Sequence, residues 1–403
     1  MPKKLVYLTL DGLSDSEYEI LDNKTPLKYA NTPNMDNLAE KSETGKMYTV
    51  REGIAPESDQ AMFSLLGYDP FEHYTGRGIL EAIGAGLKIS SGDLILRCNF
   101  ASAEEGIIKD VEARVSEKEA SKLAEKIQNE VELTNADFEF KTTVGYRAVL
   151  IIKSEREMSA RISNSHPGYE IVENYVSTAV PRPESKEFEL EEVEALESTE
   201  EASFSAMRVN EFLRKANKVL EKEESEANCI LTRGASYELP DIDSLPGTWA
   251  LMADMPVEKA IGELADMIII QRPEDYNKAA NEVLEALDMY NAVYLQLKGP
   301  DSYGHRGKPK KKSQSIEKID KEFVKPLLEG LKGIEEDVVI CLTTDHSTES
   351  KNRAHSTIPV PVILTSGEDS VDEFSEKATE EGSLGTFESG TQLYKKIMNV
   401  LEW

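Results

Sequence analysis

Apolar residues in this chain follow two patterns: short unbroken runs, and longer stretches with an apolar position every three or four residues. Residues 4 to 10, rich in Leu, Val and Tyr, run into Asp11-Gly12 and predict a buried parallel strand that delivers Asp11 at its C-terminal end. Residues 292 to 298 repeat the pattern and lead into Gly-Pro-Asp301, and residues 337 to 344 lead into Asp345-His346. A fourth run, 360 to 365, follows His355. Between these runs, 278 to 290 and 315 to 331 carry the 3.6-residue spacing of helices. Strands alternating with helices predict an α/β layered domain, in which ligand sites lie at the C-terminal ends of the parallel strands.

The middle of the chain differs. Strand-like runs at 93 to 100 and 142 to 153, a helix at 116 to 130 opened by the capping-box pattern Ser116-Glu-Lys-Glu119, and an acidic stretch from Glu184 to Glu201 read as an inserted α+β domain. The expected division is a core of 1–87 and 226–403 with an insert of 88–225. A length of 403 residues fits this, because single cores usually stop growing at about 250 to 300. The acidic stretch reads as a solvated connector or a charged helix face.

Charge narrows the partners. A net charge of −29 opposes nucleic acid and anionic lipid, so a small anionic substrate has to be captured by local arginines and lysines against the global field. No apolar run approaches the ~18 residues of a membrane span, and the start Met-Pro-Lys-Lys-Leu lacks the features of a signal peptide, so a cytosolic protein is expected. Cys98, Cys229 and Cys341 are too far apart in sequence to form a thiolate metal motif and are expected to be reduced and buried.

The candidate chemistry lies at the predicted strand ends. Asp301 and His305 are four residues apart, so one helical turn places both on the same side, as a metal pair requires. Asp345 and His346 are adjacent and point oppositely in an extended chain, which suits two ions, and His355 adds another imidazole. With Asp11 and Ser58, this pattern points to two divalent cations and a serine nucleophile, the parts of a phosphoryl transfer. Ser58 also sits where a helix would start, and a helix N-terminus stabilises a phosphoserine dianion.

The chain resembles a known family over nearly its whole length. The motifs that carry the resemblance include Lys24-Thr-Pro-Leu-Lys-Tyr-Ala-Asn-Thr-Pro-Asn-Met-Asp36, Ser64-Leu-Leu-Gly-Tyr-Asp-Pro70, Tyr74-Thr-Gly-Arg-Gly78, Arg97-Cys-Asn-Phe-Ala101, Lys298-Gly-Pro-Asp-Ser-Tyr-Gly-His305 and Thr344-Asp-His-Ser347. It resembles the archaeal-type, cofactor-independent (2,3-bisphosphoglycerate-independent) phosphoglycerate mutases of the alkaline phosphatase superfamily. The resemblance implies an alkaline-phosphatase-like core, a mostly parallel central sheet flanked by helices, with a smaller inserted α+β domain that closes over the substrate.

It further implies one metal on Asp301, His305 and His355 and a second on Asp11, Ser58, Asp345 and His346, with manganese or magnesium as the ions and cobalt or zinc as alternatives. No 2,3-bisphosphoglycerate is needed. Ser58 would take the phosphoryl group of 3-phosphoglycerate and return it to the 2-hydroxyl. By similarity, Arg97, Arg114, Arg147, His166 and Arg233 would grip the substrate, and Lys259 would stabilise charge near the transferring group.

Two departures stand beside the nucleophile. Glu57 takes the place of the usual glycine before the serine, and Met62 that of a histidine four residues after it. Glu57 adds negative charge there unless it is turned away or paired. The alternative reading is a metal-dependent phosphomonoester hydrolase on the same scaffold; a phosphopentomutase would need a different insert, and a purely structural metal scaffold would not need Ser58 or the arginines.

Overall fold

The computed structural model describes residues 3–183, 186–334 and 337–403. Its larger sheet has eight strands in the order Ile268–Ile270, Trp249–Met252, Ala292–Leu297, Lys4–Leu10, Val338–Thr343, Val360–Leu364, Glu43–Met47, Gly385–Phe387. Four of these position the site: β1 (Lys4–Leu10), β2 (Ala292–Leu297), β3 (Val338–Thr343) and β4 (Val360–Leu364). The first five strands in spatial order are mutually parallel, and β4 runs antiparallel to β3. Strands β1 and β2 are buried along almost their whole length, since helices cover both faces; this is why the sequence shows them as unbroken apolar runs.

The antiparallel direction of β4 explains how His355 reaches the others. The sheet edge where β3 ends is the edge where β4 begins, and the hairpin Ser347–Glu349/Ala354–Ser356 spans the gap with Thr348 opposite His355. Five helices complete the framework: α1 (Ser58–Leu65), α2 (Arg77–Gly84), α3 (Pro256–Leu264), α4 (Pro300–His305) and α5 (Pro309–Ile319).

A second, antiparallel sheet comprises Asp137–Thr142, Arg147–Lys153, Leu94–Glu104, Ile107–Asp110 and Phe188–Glu189. Its apolar face packs on the helices Glu117–Glu130 and Glu200–Leu220 through Leu123, Ile127, Phe140 and Phe212. The strand Cys229–Ser236 pairs with Leu94–Glu104, so this sheet takes in residues beyond position 225. Ser116 caps its helix by accepting from the Glu119 N–H, while the Glu119 carboxylate accepts from Ser225 instead of closing a capping box.

Three sequence expectations need correction or trimming. The run 142 to 153 is not one strand: it breaks into Asp137–Thr142 and Arg147–Lys153 around a turn in which Gly145 has φ +60°. The helix expected over 315–331 is interrupted by a π-turn at Asp320–Val324 just before Pro326, whose missing N–H cannot continue the α-helical ladder. Glu184 and Ser185, where the acidic stretch begins, lie outside the described residues; from residue 186 the chain adds the short strand Phe188–Glu189 to the second sheet, buries Val193 and is otherwise mostly exposed until Thr199 caps the helix at Glu200. All three cysteines are free and buried, and burial pushes the Cys229 thiol up to about 12. Among the described residues no helix is long and apolar enough to cross a membrane.

Candidate active site

Ser58 is the first residue of α1, and its Oγ lies 3.1 Å from His346 Nε2. Asp11 follows β1, Asp301 and His305 share the short helix α4 after β2, and Asp345 and His346 follow β3. Thus strand ends, one hairpin and the start of α1 bring together every residue expected to ligate metal. Asp301, His305 and His355 place ligand atoms within 4.8 Å of one another, and so do Asp11, Asp301 and His346. Asp301 belongs to both groups, which the sequence did not suggest.

The imidazoles are oriented by what their Nδ1 atoms touch. His355 Nδ1 meets the Pro56 carbonyl at 2.7 Å and His305 Nδ1 the Arg353 carbonyl at 3.0 Å, so each Nδ1 carries the proton and donates it. Their Nε2 atoms then face each other at 3.2 Å as two lone pairs. That arrangement is repulsive without a cation or an extra proton between them, so the donor set fits a metal ion. Asp11 Oδ1, buried and accepting no hydrogen bond in the structure, fits the same conclusion.

The electrostatics follow. Burial, reinforced by Asp345, pushes the Asp11 carboxyl up to about 8. Burial opposes charge on Asp345 too, but His346 and Lys298 outweigh it and hold Asp345 well below the usual carboxylate range. Burial works against charged His305, but Asp301 prevails and raises it to about 9. His355 is pushed well below the usual imidazole value by burial and by its neighbours His346 and His305.

Above this cluster lies a cavity of about 970 Å³ between the two sheets, lined by Arg97, Arg114, Arg147, His166 and Arg233 among others. Arg97, His166 and Arg233 are buried, whereas Arg114 is exposed at the rim. Lys259 is not brought to the cavity: its Nζ lies 3.5 Å from Gln271 Oε1. Its neighbour Glu258 is fully buried facing the site, and successive helical positions diverge by roughly 100°, which turns Lys259 away. The lysine that does reach the cluster is Lys298, paired at 2.5 Å with both Asp11 Oδ2 and Glu258 Oε1. Its place at the end of β2, directly before Gly-Pro-Asp301, is the sequence signal for that position. Arg77, Tyr169, Arg182 and Thr348 also went unnoticed.

A mostly parallel α/β sheet with this cluster at its edge, beneath a cationic cavity, describes an enzyme that handles a small anion. Residues 39–226 match the family described as 2,3-bisphosphoglycerate-independent phosphoglycerate mutase. The chain is 37% identical to the 2,3-bisphosphoglycerate-independent phosphoglycerate mutase of Methanopyrus kandleri, across 100% of this chain and 97% of that one. A solved protein of Pyrococcus horikoshii superposes with a TM-score of 0.76 at 28% identity, covering 100% of this chain and 98% of that one. The cofactor-independent phosphoglycerate mutase from Thermoplasma acidophilum gives 0.59 at 26%, covering 99% and 100%. The chain belongs to the 2,3-bisphosphoglycerate-independent phosphoglycerate mutase family.

Proposed function

We propose that this protein interconverts 3-phosphoglycerate and 2-phosphoglycerate through a phosphoserine at Ser58, as a cytosolic step of glycolysis and gluconeogenesis. The observation that carries this is Ser58 at the start of α1, its Oγ directed at the carboxylate and imidazole cluster on the floor of an arginine-lined cavity. Asp301, His305 and His355 would hold one divalent cation, manganese or magnesium, and Asp11, Ser58, Asp345 and His346 the other. Bound there, such ions supply electrostatic stabilisation of the attacking and leaving oxygens in an in-line displacement.

The chain's own residues account for the remainder. Ser58 Oγ forms a bond to phosphorus as the bond from phosphorus to the 3-oxygen breaks, the serine proton ending on that 3-oxygen, and the amide N–H groups of the first turn of α1 face the resulting dianion. Glycerate turns within the cavity until its 2-hydroxyl oxygen faces phosphoserine, and the second displacement releases Ser58. Lys298, which Asp11 and Glu258 keep charged in spite of burial, sits beside the reacting groups and offsets developing negative charge. The inserted segment, expected at 88–225, acts as a lid: arginines on it complete the grip, and its closure excludes the water that would divert phosphoserine to hydrolysis.

The test is an assay of metal-loaded protein with 3-phosphoglycerate in the absence of bisphosphoglycerate, following 2-phosphoglycerate through enolase and inorganic phosphate in parallel. Isomerisation with negligible phosphate release is expected, and Ser58→Ala is expected to lower turnover by at least ~10³-fold with metal content intact. Phosphate release without isomerisation would establish the hydrolase reading instead.

A further inference from the structure

Glu57 stands where the family resemblance leads one to expect glycine, and the structure shows what it does with its charge. It is buried, 3% exposed, and turned away from Ser58 into the arginine cluster. Its Oε2 accepts from Arg77 Nη1 at 3.1 Å and pairs with Arg233 Nη1; its Oε1 accepts from Ser177 Oγ at 2.8 Å. Arg77 is further committed to Asp59 at 3.3 Å and Glu81 at 3.1 Å. The guanidinium carbon of Arg233 lies over the Tyr169 ring, 4.1 Å from its centroid.

Two further guanidiniums that line the cavity, Arg97 and Arg147, differ in making no hydrogen bond to a carboxylate, although Arg233 Nε, like theirs, has no hydrogen-bond partner. Among the described residues Arg97 approaches a carboxylate only through Nε, 3.5 Å from Glu81, and that Nε makes no hydrogen bond. Among the described residues Arg147 has no carboxylate within ion-pair distance; its Nη1 rests on Met255 Sδ at 3.4 Å and its Nε has no partner. Both line the cavity.

We propose that Glu57 is a built-in anion that withdraws Arg233 and Arg77 from substrate, so that Arg97 and Arg147 form the fork left to grip an incoming phosphate or carboxylate. Taken as a group, Arg77, Arg97, Arg147 and Arg233 with the three carboxylates of Glu57, Asp59 and Glu81 carry one net positive charge; neutralising Glu57 leaves two. Glu57 therefore weakens ground-state binding of any anion at this floor and sets which end of the floor receives it. In a mutase this keeps phosphoglycerate from settling so tightly that glycerate cannot turn, a consequence that rests on the functional reading above. The withdrawal of Arg233 does not depend on that reading.

The experiment measures the affinity of inorganic phosphate for the metal-loaded protein by calorimetry, in the wild type and in Glu57→Gln, Ser177→Ala and Arg147→Lys. Glu57→Gln keeps the shape, with its carbonyl able to face Arg77 and Arg233 while its NH2 donates to Ser177 Oγ, so the chief change is loss of the charge and phosphate is expected to bind about tenfold more tightly. Equal or weaker binding would overturn the proposal. Ser177→Ala loosens the same contact without changing charge and is expected to bind phosphate within about twofold of wild type; a tightening equal to that of Glu57→Gln would mean loosened packing, not charge, and would also overturn it. Arg147→Lys leaves the Glu57 pairs intact, so it reads the proposal even if Glu57→Gln folds poorly. It is expected to weaken phosphate at least fivefold, and unchanged affinity would remove Arg147 from the free fork. Wild-type isomerisation of 3-phosphoglycerate, measured separately, tells failure of this inference apart from failure of the functional reading.

Discussion

Thr348 shows how much of the site depends on single atoms. Its hydroxyl is 2.8 Å from Asp301 Oδ1 and 3.1 Å from His346 Nδ1. A carboxylate can only accept, so Thr348 donates to Asp301 and accepts the His346 Nδ1 proton, which fixes Nε2 of His346 as the atom facing Ser58. One hydroxyl thereby orients a member of each candidate ligand group. Thr348→Val keeps the shape and orphans both partners, and we expect Mn²⁺ affinity to fall by about 10- to 100-fold with recovery in Thr348→Ser, read by calorimetry. An unchanged affinity would reduce Thr348 to packing.

His305 belongs to the same scale. In the metal-free protein it titrates at about 9 because Asp301 outweighs burial. The stabilisation from this pair is complete below the unfolded histidine value near 6.5 and is lost as pH rises through about 9. A cation needs neutral imidazole, so binding at pH 7 must expel the His305 proton, and affinity should climb between pH 6.5 and 9 by up to about tenfold per unit, then level off. Titrations in two buffers of different ionisation enthalpy count the released proton; a pH-independent affinity over that window would refute the assignment.

Among the elements, α5 is the part that locks the ligand-bearing segments together. Lys312 is fully buried, and its Nζ donates to the carbonyls of Ser14 at 2.8 Å and Thr348 at 2.7 Å and to Asp15 Oδ2 at 3.1 Å. It thus ties the segment after β1 to the hairpin that carries His355. Lys312→Met would leave the Asp15 carboxylate as an uncompensated buried charge, for which a loss of about 3–5 kcal/mol is expected in urea unfolding. A loss below about 1 kcal/mol, typical of surface pairs, would show that the pair is not holding these segments.

The same scale shows what could be read from sequence. Strands β1 to β4 were legible because two-sided burial writes an unbroken apolar run, and the candidate ligands other than Ser58, which opens a helix, were legible because each follows or precedes such a run. The break at 143–146 was hidden because four residues holding one glycine hardly interrupt an apolar pattern. Lys259 and Lys298 could not be told apart without the rotational phase of α3. The pairing of Glu57 was invisible because its partners Arg77, Ser177 and Arg233 lie far along the chain and converge only through the fold.

At the scale of the whole molecule, a net charge of −29 and an arginine-lined cavity pull an anionic substrate in opposite directions. The two forces differ in reach. Treated as a point charge about 25 Å from an approaching trianion, the global charge repels by roughly 6 kcal/mol at ~0.01 M salt and by less than about 1 kcal/mol at ~0.15 M. Cavity arginines that grip substrate as proposed would act within a few ångströms of it, inside the screening length at either salt, so their attraction would change far less over that range. Raising the concentration of a salt that does not compete for the site, from ~0.01 to ~0.15 M, should therefore raise kcat/KM for phosphoglycerate severalfold, the reverse of an enzyme whose net field draws its substrate in. A monotonic fall in kcat/KM would mean that the local positive field reaches beyond the cavity mouth and governs encounter despite the net charge.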